Sequence, residues 1–454
     1  MCIRCAFQFG RCFYGYKFRK GDIMAEVRPF RGLVYDPVTV GDVSRVMAPP
    51  YDVISDEKRE ELYGKSDFNV VRLILGKDVP GDGRNDNKYI RSKKAMNDWM
   101  EKGVLATDEQ EAFYVYLQQY EVKGRRFSRT GFLGLMKIEG TDVVLPHEHT
   151  LSKPKEDRMS LIGEVECNLS PIFGLYSGDE GYISGKLKNA VSGLTPFTDI
   201  EIDGVRHVIW KLFSADVISE ISEAMETRKI FIADGHHRYA VAKAYRDLCR
   251  SREGYDGRAD HVLMYLTDMD DPENLTVLAT HRVINNIPED VKNGILLKIE
   301  RYFNITEIKG LSALMDKVEE LRRKSYVYGF FDGIRYFLIE PRETEDLKNL
   351  IRNKPESWKD LDVSVLHSVI LEKLLGIQAK EGDVSYAKEP EEAESLVKEA
   401  GGRAAFFLNP TRVEQLRAVA EDGEMMPQKS TYFYPKLLTG LVMNRFEDQK
   451  EKVI

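Results

Sequence analysis

One junction constrains the fold of this chain more than any other feature. Residues 229–233 form an apolar run of the length expected for a buried strand, and Gly235 separates it from a helical segment that continues to about Arg252. The first N–H groups of a helix have no acceptors within the helix, and the helix dipole favours negative charge there. Because glycine lets a ligand approach the backbone closely, the junction predicts an anion-binding turn at residues 234–238.

The side chains of this turn favour phosphate as the anion. Arg238 carries a planar guanidinium suited to bidentate phosphate contact, and His236 and His237 supply further donors. A purely structural interpretation is also open: Asp234 would cap the helix, Gly235 would form the turn, and the histidines would bind nearby carbonyl groups.

A second segment carries a carboxylate between two imidazoles. Residues 143–145 form a short apolar strand, which delivers His147, Glu148 and His149 to a loop at residues 146–150. A carboxylate in such a position can act as a general base toward a substrate hydroxyl, so Glu148 is the candidate base. The alternative is an ordinary charged surface loop.

A third segment, residues 426–436, combines a lysine with two hydroxyl side chains. Lys429 can neutralise phosphate oxygens, and Ser430 and Thr431 can donate hydrogen bonds to them. The segment lacks the preceding glycines of a P-loop, so taken alone it is more typical of an ordinary aromatic turn.

The rest of the chain alternates between helical and strand patterns. Short strands are predicted at residues 46–48, 170–176 and 404–408, and helices at residues 56–63, 89–104, 215–228 and 388–398. Three hairpins are predicted at glycine-containing turns, namely Lys123-Gly124, Asp203-Gly204 and Asp332-Gly333. The expected fold class is α+β with a mixed sheet.

The patterning also predicts a division of the chain. Residues 1–23 fit no element, and ordinary globular patterning begins at Met24, so we expect a disordered or non-native extension before it. Residues 24–285 are predicted to form the core with inserted hairpins, and residues 286–454 a second α+β unit. The segment at about 425–440 is expected to return from that unit to the site.

Composition excludes several classes of protein. A net charge of −8 over 454 residues provides no basic field, which argues against a dedicated nucleic-acid binder. The five cysteines do not form a disulfide framework, and Cys2-x-x-Cys5 lacks a second ligand pair for zinc. The apolar runs are too short for a signal peptide or a membrane span, so we expect a reducing, cytoplasmic setting and no membrane partner.

Four motifs together resemble a known family. They are Pro49-Pro50-Tyr51-Asp52, Pro146-His147-Glu148, Asp234-Gly235-His236-His237-Arg238-Tyr239 and Pro427-Gln428-Lys429-Ser430-Thr431. This set resembles the family called domain of unknown function 1015, over nearly everything after Met24. The last three motifs also resemble, in the same chain order, the archaeal free serine kinase branch of the ParB/sulfiredoxin superfamily.

The resemblance implies a ParB/sulfiredoxin-like core with large insertions and a small-molecule kinase activity. The phosphate donor would be ATP or ADP with Mg²⁺, and the acceptor the hydroxyl of free L-serine or a similar metabolite. The implied catalytic residues are Glu148, Asp234 and His236. The implied nucleotide-binding residues are Gly235, His236, His237, Arg238, Lys429, Ser430 and Thr431. Candidate contacts to the acceptor are Asp52, His147, Asp157 and Arg158.

Two other functions remain open from the residues alone. A metal-dependent hydrolase could use an imidazole-rich site made from His147, His149, His236 and His237 with Asp234. A non-catalytic, ParB-like regulator that binds nucleotide or DNA is the second alternative, and the acidic balance of the chain argues against its DNA-binding form. The oligomeric state is left open, a homodimer included.

Overall fold

The computed structural model describes residues 25–449, except residues 139, 141, 149, 151, 272, 286, 288–293, 379–381 and 400–402. The predicted extension at residues 1–23 lies outside the described residues. Two large sheets organise the described part of the chain, one of nine strands and one of six. The predicted α+β class with a mixed sheet is confirmed.

The strands are short to medium in length. In chain order they are β1 Val27–Arg28, β2 Leu33–Tyr35, β3 Leu105–Thr107, β4 Phe113–Val122, β5 Arg125–Lys137, β6 Val144–Leu145, β7 Cys167–Asn168, β8 Ile172–Tyr176, β9 Thr198–Ile202, β10 Val205–Leu212, β11 Ile230–Asp234, β12 His261–Asp268, β13 Thr276–Leu278, β14 His281–Ile284, β15 Phe303–Ile308, β16 Tyr328–Phe331, β17 Tyr336–Pro341, β18 Val384–Ala387, β19 Ala404–Phe407, β20 Tyr432–Tyr434 and β21 Asn444–Arg445.

The helices lie between these strands and cover the sheets. Their bounds are Pro37–Val40, Asp56–Lys65, Val71–Ile74, Lys88–Glu101, Ser152–Val165, Tyr182–Val191, Ala215–Glu226, His236–Arg250, Ile295–Ile299, Leu311–Glu320, Thr344–Leu350, Glu356–Lys359, Asp362–Val365, Leu366–Leu375, Pro390–Glu399 and Val413–Glu421. Tighter turns of helix span Val43–Val46, Tyr51–Val53 and Phe446–Gln449. None of the helices in the described ranges is long and apolar enough to cross a membrane.

The nine-stranded sheet mixes parallel and antiparallel pairs. Its order is β6-β11-β8-β12-β5-β4-β10-β9, and β1 also pairs with β5. Strand β11 runs parallel to β6, with Ile230 opposite Val144 and Phe231 opposite Leu145. Since the carboxyl ends of parallel strands meet at one edge of a sheet, the loops that follow β6 and β11 emerge side by side.

The three predicted hairpins are confirmed. Strands β4 and β5 pair antiparallel across Lys123-Gly124, and β9 and β10 pair across Asp203-Gly204. Both residues of each of these two turns have positive φ, as a two-residue type I′ turn requires. Strands β16 and β17 pair across the turn that contains Asp332-Gly333.

The six-stranded sheet is antiparallel throughout, in the order β15-β17-β16-β19-β14-β18. After the six-stranded sheet, β20 pairs with the earlier strand β13 in a separate two-stranded sheet, with Phe433 opposite Val277. The described strands of the nine-stranded sheet end at Asp268, and the six-stranded sheet begins at His281. The predicted domain division at residue 285 stays a prediction.

The predicted strand at residues 46–48 was wrong. Val43–Val46 form a turn of 3-10 helix instead, and the side chain of Asp42 caps it by accepting the N–H of Ser44. Ala48 pairs only as an isolated bridge with Thr439. The local cap therefore outweighs the β-propensity of the apolar run.

The junction after β11 forms as predicted. Gly235 has a φ of 94° and ends the strand, and the helix His236–Arg250 begins directly after it. Tyr239, Ala242 and Tyr245 lie on the buried face of this helix, which packs against the helix Ser152–Val165. Burial of this apolar face fixes the N-terminus of the helix at the edge of the nine-stranded sheet.

Candidate functional site

Three segments that are distant in sequence meet at this edge. The parallel pairing of β6 and β11 brings Glu148 beside the turn 234–238. The third segment joins through Met426, whose N–H donates to the carbonyl of His147 at 2.8 Å, and whose backbone forms a parallel bridge with Glu148. The sequence therefore folds so that its three candidate motifs contact one another.

The three segments enclose a cavity of about 200 Å³. Its walls include both acidic and basic side chains. The residues from the predicted motifs and from the segment 426–436 that line it are Tyr51, Asp52, Glu148, Asp234, Gly235, His236, His237, Arg238, Gln428, Lys429, Thr431, Tyr432 and Lys436. A cavity with several convergent polar groups is the usual form of a small-molecule site.

At one wall, Asp234 is held by two cations. Its Oδ2 lies 2.7 Å from Nη2 of Arg238, and its Oδ1 accepts from Nζ of Lys436. Burial would raise the pKa of Asp234, but Lys436 and Arg238 hold that pKa well below the usual range of an aspartic acid. The group is therefore a carboxylate with two cations, and it contributes a net positive charge to this wall.

The backbone at Gly235 explains how this arrangement fits. A Cβ built on Gly235 would lie 3.0 Å from Cζ of Arg238, because the guanidinium folds back across the turn. Arg238 also donates through Nη1 to the carbonyl of Pro171. Glycine at this position thus permits both the positive φ and the close approach of the guanidinium.

At the other wall, Glu148 contacts a backbone N–H and an imidazole. Its Oε1 accepts the backbone N–H of Lys429 at 2.6 Å, and its Oε2 lies 3.7 Å from Nδ1 of His236. Nε2 of His236 accepts the N–H of His147 at 3.3 Å, so a neutral ring carries its proton on Nδ1, toward Glu148. Burial lowers the pKa of His236 to about 3, so the ring is neutral at physiological pH.

His147 packs behind this wall, where it contacts Thr431 and His236. The side chain is buried, and its Nε2 lies 3.2 Å from Oγ1 of Thr431. Its ring contacts the ring of His236 edge to face, with 4.5 Å between centroids. Burial lowers the pKa of His147 to about 3. His147 is therefore placed beneath the cavity wall and is absent from the lining.

Some predicted residues lie elsewhere. The hydroxyl of Ser430 donates to the carbonyl of Pro427 within its own loop. Asp157 accepts from Tyr89 at 2.8 Å and pairs with Arg158, whose Nη1 donates to the carbonyl of Ile74. Ser430, Asp157 and Arg158 do not line the cavity.

The remaining predicted residues divide as follows. Asp52 and the half-buried His237 line the cavity, and burial lowers the pKa of His237. His149 lies outside the described residues. Within the described ranges, no group of three or more His, Cys, Asp or Glu side chains is arranged to hold a metal ion.

Sequence reasoning missed Lys436 as a member of the site. It stands in the predicted segment 426–436, seven residues after Lys429, and its Nζ lies 4.6 Å from the ring centroid of Tyr432 as well as against Asp234. An ion pair over 202 residues of sequence leaves no local pattern. The signal available was a lysine beside aromatic residues in a segment already expected at the site.

Comparison with known proteins gives a family and several distant structures. The family described as "Protein of unknown function (DUF1015)" matches residues 27–364, well over half of the chain. No curated protein matches.

Three solved structures that resemble this one are remote in sequence. A free serine kinase in complex with AMP is 14% identical with a TM-score of 0.33, over 67% of this chain and 86% of that chain. A conserved hypothetical protein from Pyrococcus furiosus is 16% identical with a TM-score of 0.34, over 70% and 96%. SbnI with a C-terminal truncation, from Staphylococcus aureus, is 14% identical with a TM-score of 0.35, over 70% and 90%. At these TM-scores the likeness carries neither a fold nor an activity to this chain.

Proposed function

The chain belongs to the DUF1015 family, and we propose that it is a small-molecule kinase that transfers a phosphoryl group from ATP or ADP to the hydroxyl of free L-serine or a similar metabolite. One observation carries the proposal. The carboxylate of Glu148, the turn 234–238 and Lys429 line a single cavity. Phosphoryl transfer depends on groups that bind the phosphate oxygens and on a residue that orients the attacking hydroxyl.

The anion side of the cavity suits the phosphates of a nucleotide. The first-turn N–H groups of the helix His236–Arg250 supply donors, and the helix dipole adds positive potential. Because Asp234 neutralises only one of its two cations, the group of Asp234, Arg238 and Lys436 stays positive. Lys429 adds a further ammonium to the lining.

The base side suits proton removal from an alcohol. Glu148 would accept the hydroxyl proton as the acceptor oxygen forms its bond to the terminal phosphorus. The bond from that phosphorus to its bridging oxygen would break, and the shortened nucleotide would leave with the negative charge. Positioning and charge neutralisation supply most of the acceleration in such reactions, since the transferred group resembles metaphosphate.

Magnesium fits this cavity. Asp52 presents a carboxylate to it, which is the kind of ligand that a hard cation prefers. Within the described ranges Asp52 has no ion-pair partner, so its carboxylate is available to the metal or to the ammonium group of an amino-acid acceptor. When bound with the nucleotide, magnesium would neutralise charge on the phosphate oxygens.

The proposal includes a ParB/sulfiredoxin-like core. It is supported by the order of the motifs in the chain and by the mixed sheet, in which the Pro-His-Glu and Asp-Gly-His-His-Arg motifs follow adjacent parallel strands. The six-stranded sheet would be an addition to that core.

The test is a direct transfer assay. The full chain would be incubated with magnesium, either ATP or ADP, and a panel of hydroxylated metabolites, and the products followed by mass spectrometry. We expect phosphoserine or a closely related phosphomonoester, with AMP or ADP formed in equal amount. Hydrolysis of a substrate without nucleotide, together with stoichiometric zinc, manganese or iron in the purified protein, would replace this proposal with a metal-dependent hydrolase.

A further inference from the structure

A buried arginine outside the three motifs contacts the loop at residues 427–431, and a backbone N–H of that loop binds Glu148. Arg282 lies on β14 of the six-stranded sheet and is 1% exposed. Its Nη2 donates to the carbonyl of Lys429 at 2.9 Å and to the carbonyl of Gln428 at 3.2 Å, and its Nη1 donates to the carbonyl of Thr280. Burial lowers the pKa of Arg282 to about 10, so the guanidinium remains charged at physiological pH.

These contacts join Arg282 to Glu148 through one peptide group. The carbonyl of Gln428 and the N–H of Lys429 belong to the same peptide unit. Arg282 binds its oxygen side, and Glu148 accepts from its nitrogen side at 2.6 Å. A charged donor on the carbonyl polarises the peptide and strengthens the hydrogen bond that its N–H makes.

The backbone at this point needs such support. Lys429 has a φ of 54°, in the left-handed region that a residue with a Cβ seldom adopts. A conformation of this kind costs about 1 kcal/mol or more and persists where the surroundings fix it. The two hydrogen bonds from Arg282 hold the carbonyls on either side of the Lys429 Cα, and so fix this conformation.

We propose that Arg282 is a positioning residue for the base Glu148, acting through the Gln428–Lys429 peptide. The inference rests on the proposed function and deepens it, because it assigns the six-stranded sheet a part in the chemistry. That sheet presents a fixed charge to the loop, and the loop presents an N–H to the carboxylate. Arg282 does not line the cavity and does not touch the reacting groups.

A solely structural role for Arg282 is the alternative, and Arg246 provides the matched control. Arg246 is a buried arginine on the helix His236–Arg250, whose Nη1 donates to the carbonyl of Ile138 and whose Nη2 pairs with Asp247. It has no contact with the loop 427–431. Arg246→Met should lower the melting temperature while it leaves the site unchanged.

The experiment compares Arg282→Met, Arg282→Lys and Arg246→Met in the full chain by two measurements. The first is hydrogen exchange of the Lys429 amide. We expect exchange about tenfold or more faster in Arg282→Met, an intermediate rate in Arg282→Lys, and the wild-type rate in Arg246→Met. The second is the kinetics of transfer, with melting temperatures recorded for each variant.

In the kinetic measurement we expect kcat to fall about 100-fold in Arg282→Met with the KM for nucleotide within about twofold of wild type, and Arg282→Lys to recover about tenfold. Equal exchange and equal kcat in Arg282→Met and Arg246→Met would overturn the inference. If Arg282→Met does not fold, wild-type exchange and kcat in Arg282→Lys would overturn it. If wild-type protein transfers no phosphate, the proposed function fails, and the exchange comparison alone decides the role of Arg282.

Discussion

Asp234 and Glu148 line the same cavity, and the surroundings of their carboxylates differ. Asp234 contacts the full positive charges of Arg238 and Lys436. Glu148 contacts a backbone N–H and an imidazole whose low pKa keeps it neutral. The first carboxylate is fixed as an anion by its partners, and the second has no full positive charge among its hydrogen-bond partners.

This difference supports the proposed roles of the two carboxylates. A carboxylate bound by two cations is a poor proton acceptor, because protonation would leave both cations without compensation. A carboxylate oriented by neutral donors can take a proton without that loss. Pairs of titratable groups in contrasting environments commonly mark the distinct functions within an active site. We therefore propose proton transfer at Glu148 and phosphate binding on the side of Asp234.

The largest expected effect is on the base. Glu148→Gln should lower kcat about 1,000-fold, because the amide cannot accept the hydroxyl proton, while the affinity for nucleotide stays within about twofold. Transfer assays and calorimetric titration with ADP would measure the two quantities. Glu156→Gln is the control, since Glu156 is exposed on the helix Ser152–Val165 and lies off the cavity. Parallel loss of binding and turnover in Glu148→Gln would remove the contrast between the two carboxylates.

The next effect concerns the charged wall. Asp234→Asn should lower the free energy of unfolding by about 3 kcal/mol, because two largely buried cations lose their counter-charge. Urea denaturation would measure it. Asp247→Asn, which breaks the more exposed pair with Arg246, should change the free energy of unfolding by about 0.5 kcal/mol or less. If the two variants are equally stable, Lys436 and Arg238 do not depend on Asp234.

A third effect tests the neutrality of His236 through pH. The unfolded ring has a pKa of about 6.5, and the folded ring about 3, so below pH 6.5 the unfolded chain binds a proton that the folded chain excludes. This contribution to stability is complete above pH 6.5 and is lost as pH falls toward 3. His236→Asn should reduce the slope of unfolding free energy against pH by about 1.4 kcal/mol per unit between about pH 6 and pH 4.

The half-buried His237 is the control for this measurement, because burial also lowers its pKa but its ring is less buried than that of His236. His237→Asn should change the slope by a smaller amount. Identical slopes in wild type and His236→Asn would mean that the ring facing Glu148 is charged in the folded protein. Glu148, like Asp234, would then have a cation as its partner.

The smallest effects separate two neighbouring hydroxyls. Ser430→Ala should cost about 1 kcal/mol of stability with no change in nucleotide affinity, because its hydroxyl is bound within its own loop. Thr431→Val removes the contact with His147 at the cavity wall and should weaken nucleotide binding by about threefold. Titration of both variants with ADP would measure the difference. A greater loss of ADP affinity in Ser430→Ala than in Thr431→Val would mean that Ser430 contacts phosphate, as the sequence predicts.

The sequence predicts the local parts of this site well. Gly235 after an apolar run is a strong signal for the strand-to-helix junction, and Asp-Gly and Lys-Gly turns are strong signals for hairpins, since each depends on backbone preferences of adjacent residues. The predicted strand at residues 46–48 failed where a single capping side chain, Asp42, changed the outcome. Local propensity is reliable only where no such cap competes with it.

The partners of the site residues could not be predicted in the same way. Lys436 pairs with Asp234, which lies 202 residues earlier in the chain. Arg282, on the six-stranded sheet, binds the carbonyl of Lys429, 147 residues later in the chain. Contacts of this kind depend on the pairing of β20 with β13 and on the order of strands in the nine-stranded sheet. The periodicity of a single sequence predicts helices and strands but not contacts between residues this far apart in the chain. The cavity was therefore predictable only through the motifs that line it.

The most direct test is a crystal structure of the full chain with ADP and magnesium. We predict that the terminal phosphate lies against the N–H groups of residues 235–238 and near Nζ of Lys429, with the carboxylate of Glu148 facing it across the cavity. Phosphates bound at another surface, or a nucleotide that leaves Glu148 turned away from it, would contradict the assignment of this cavity to phosphoryl transfer.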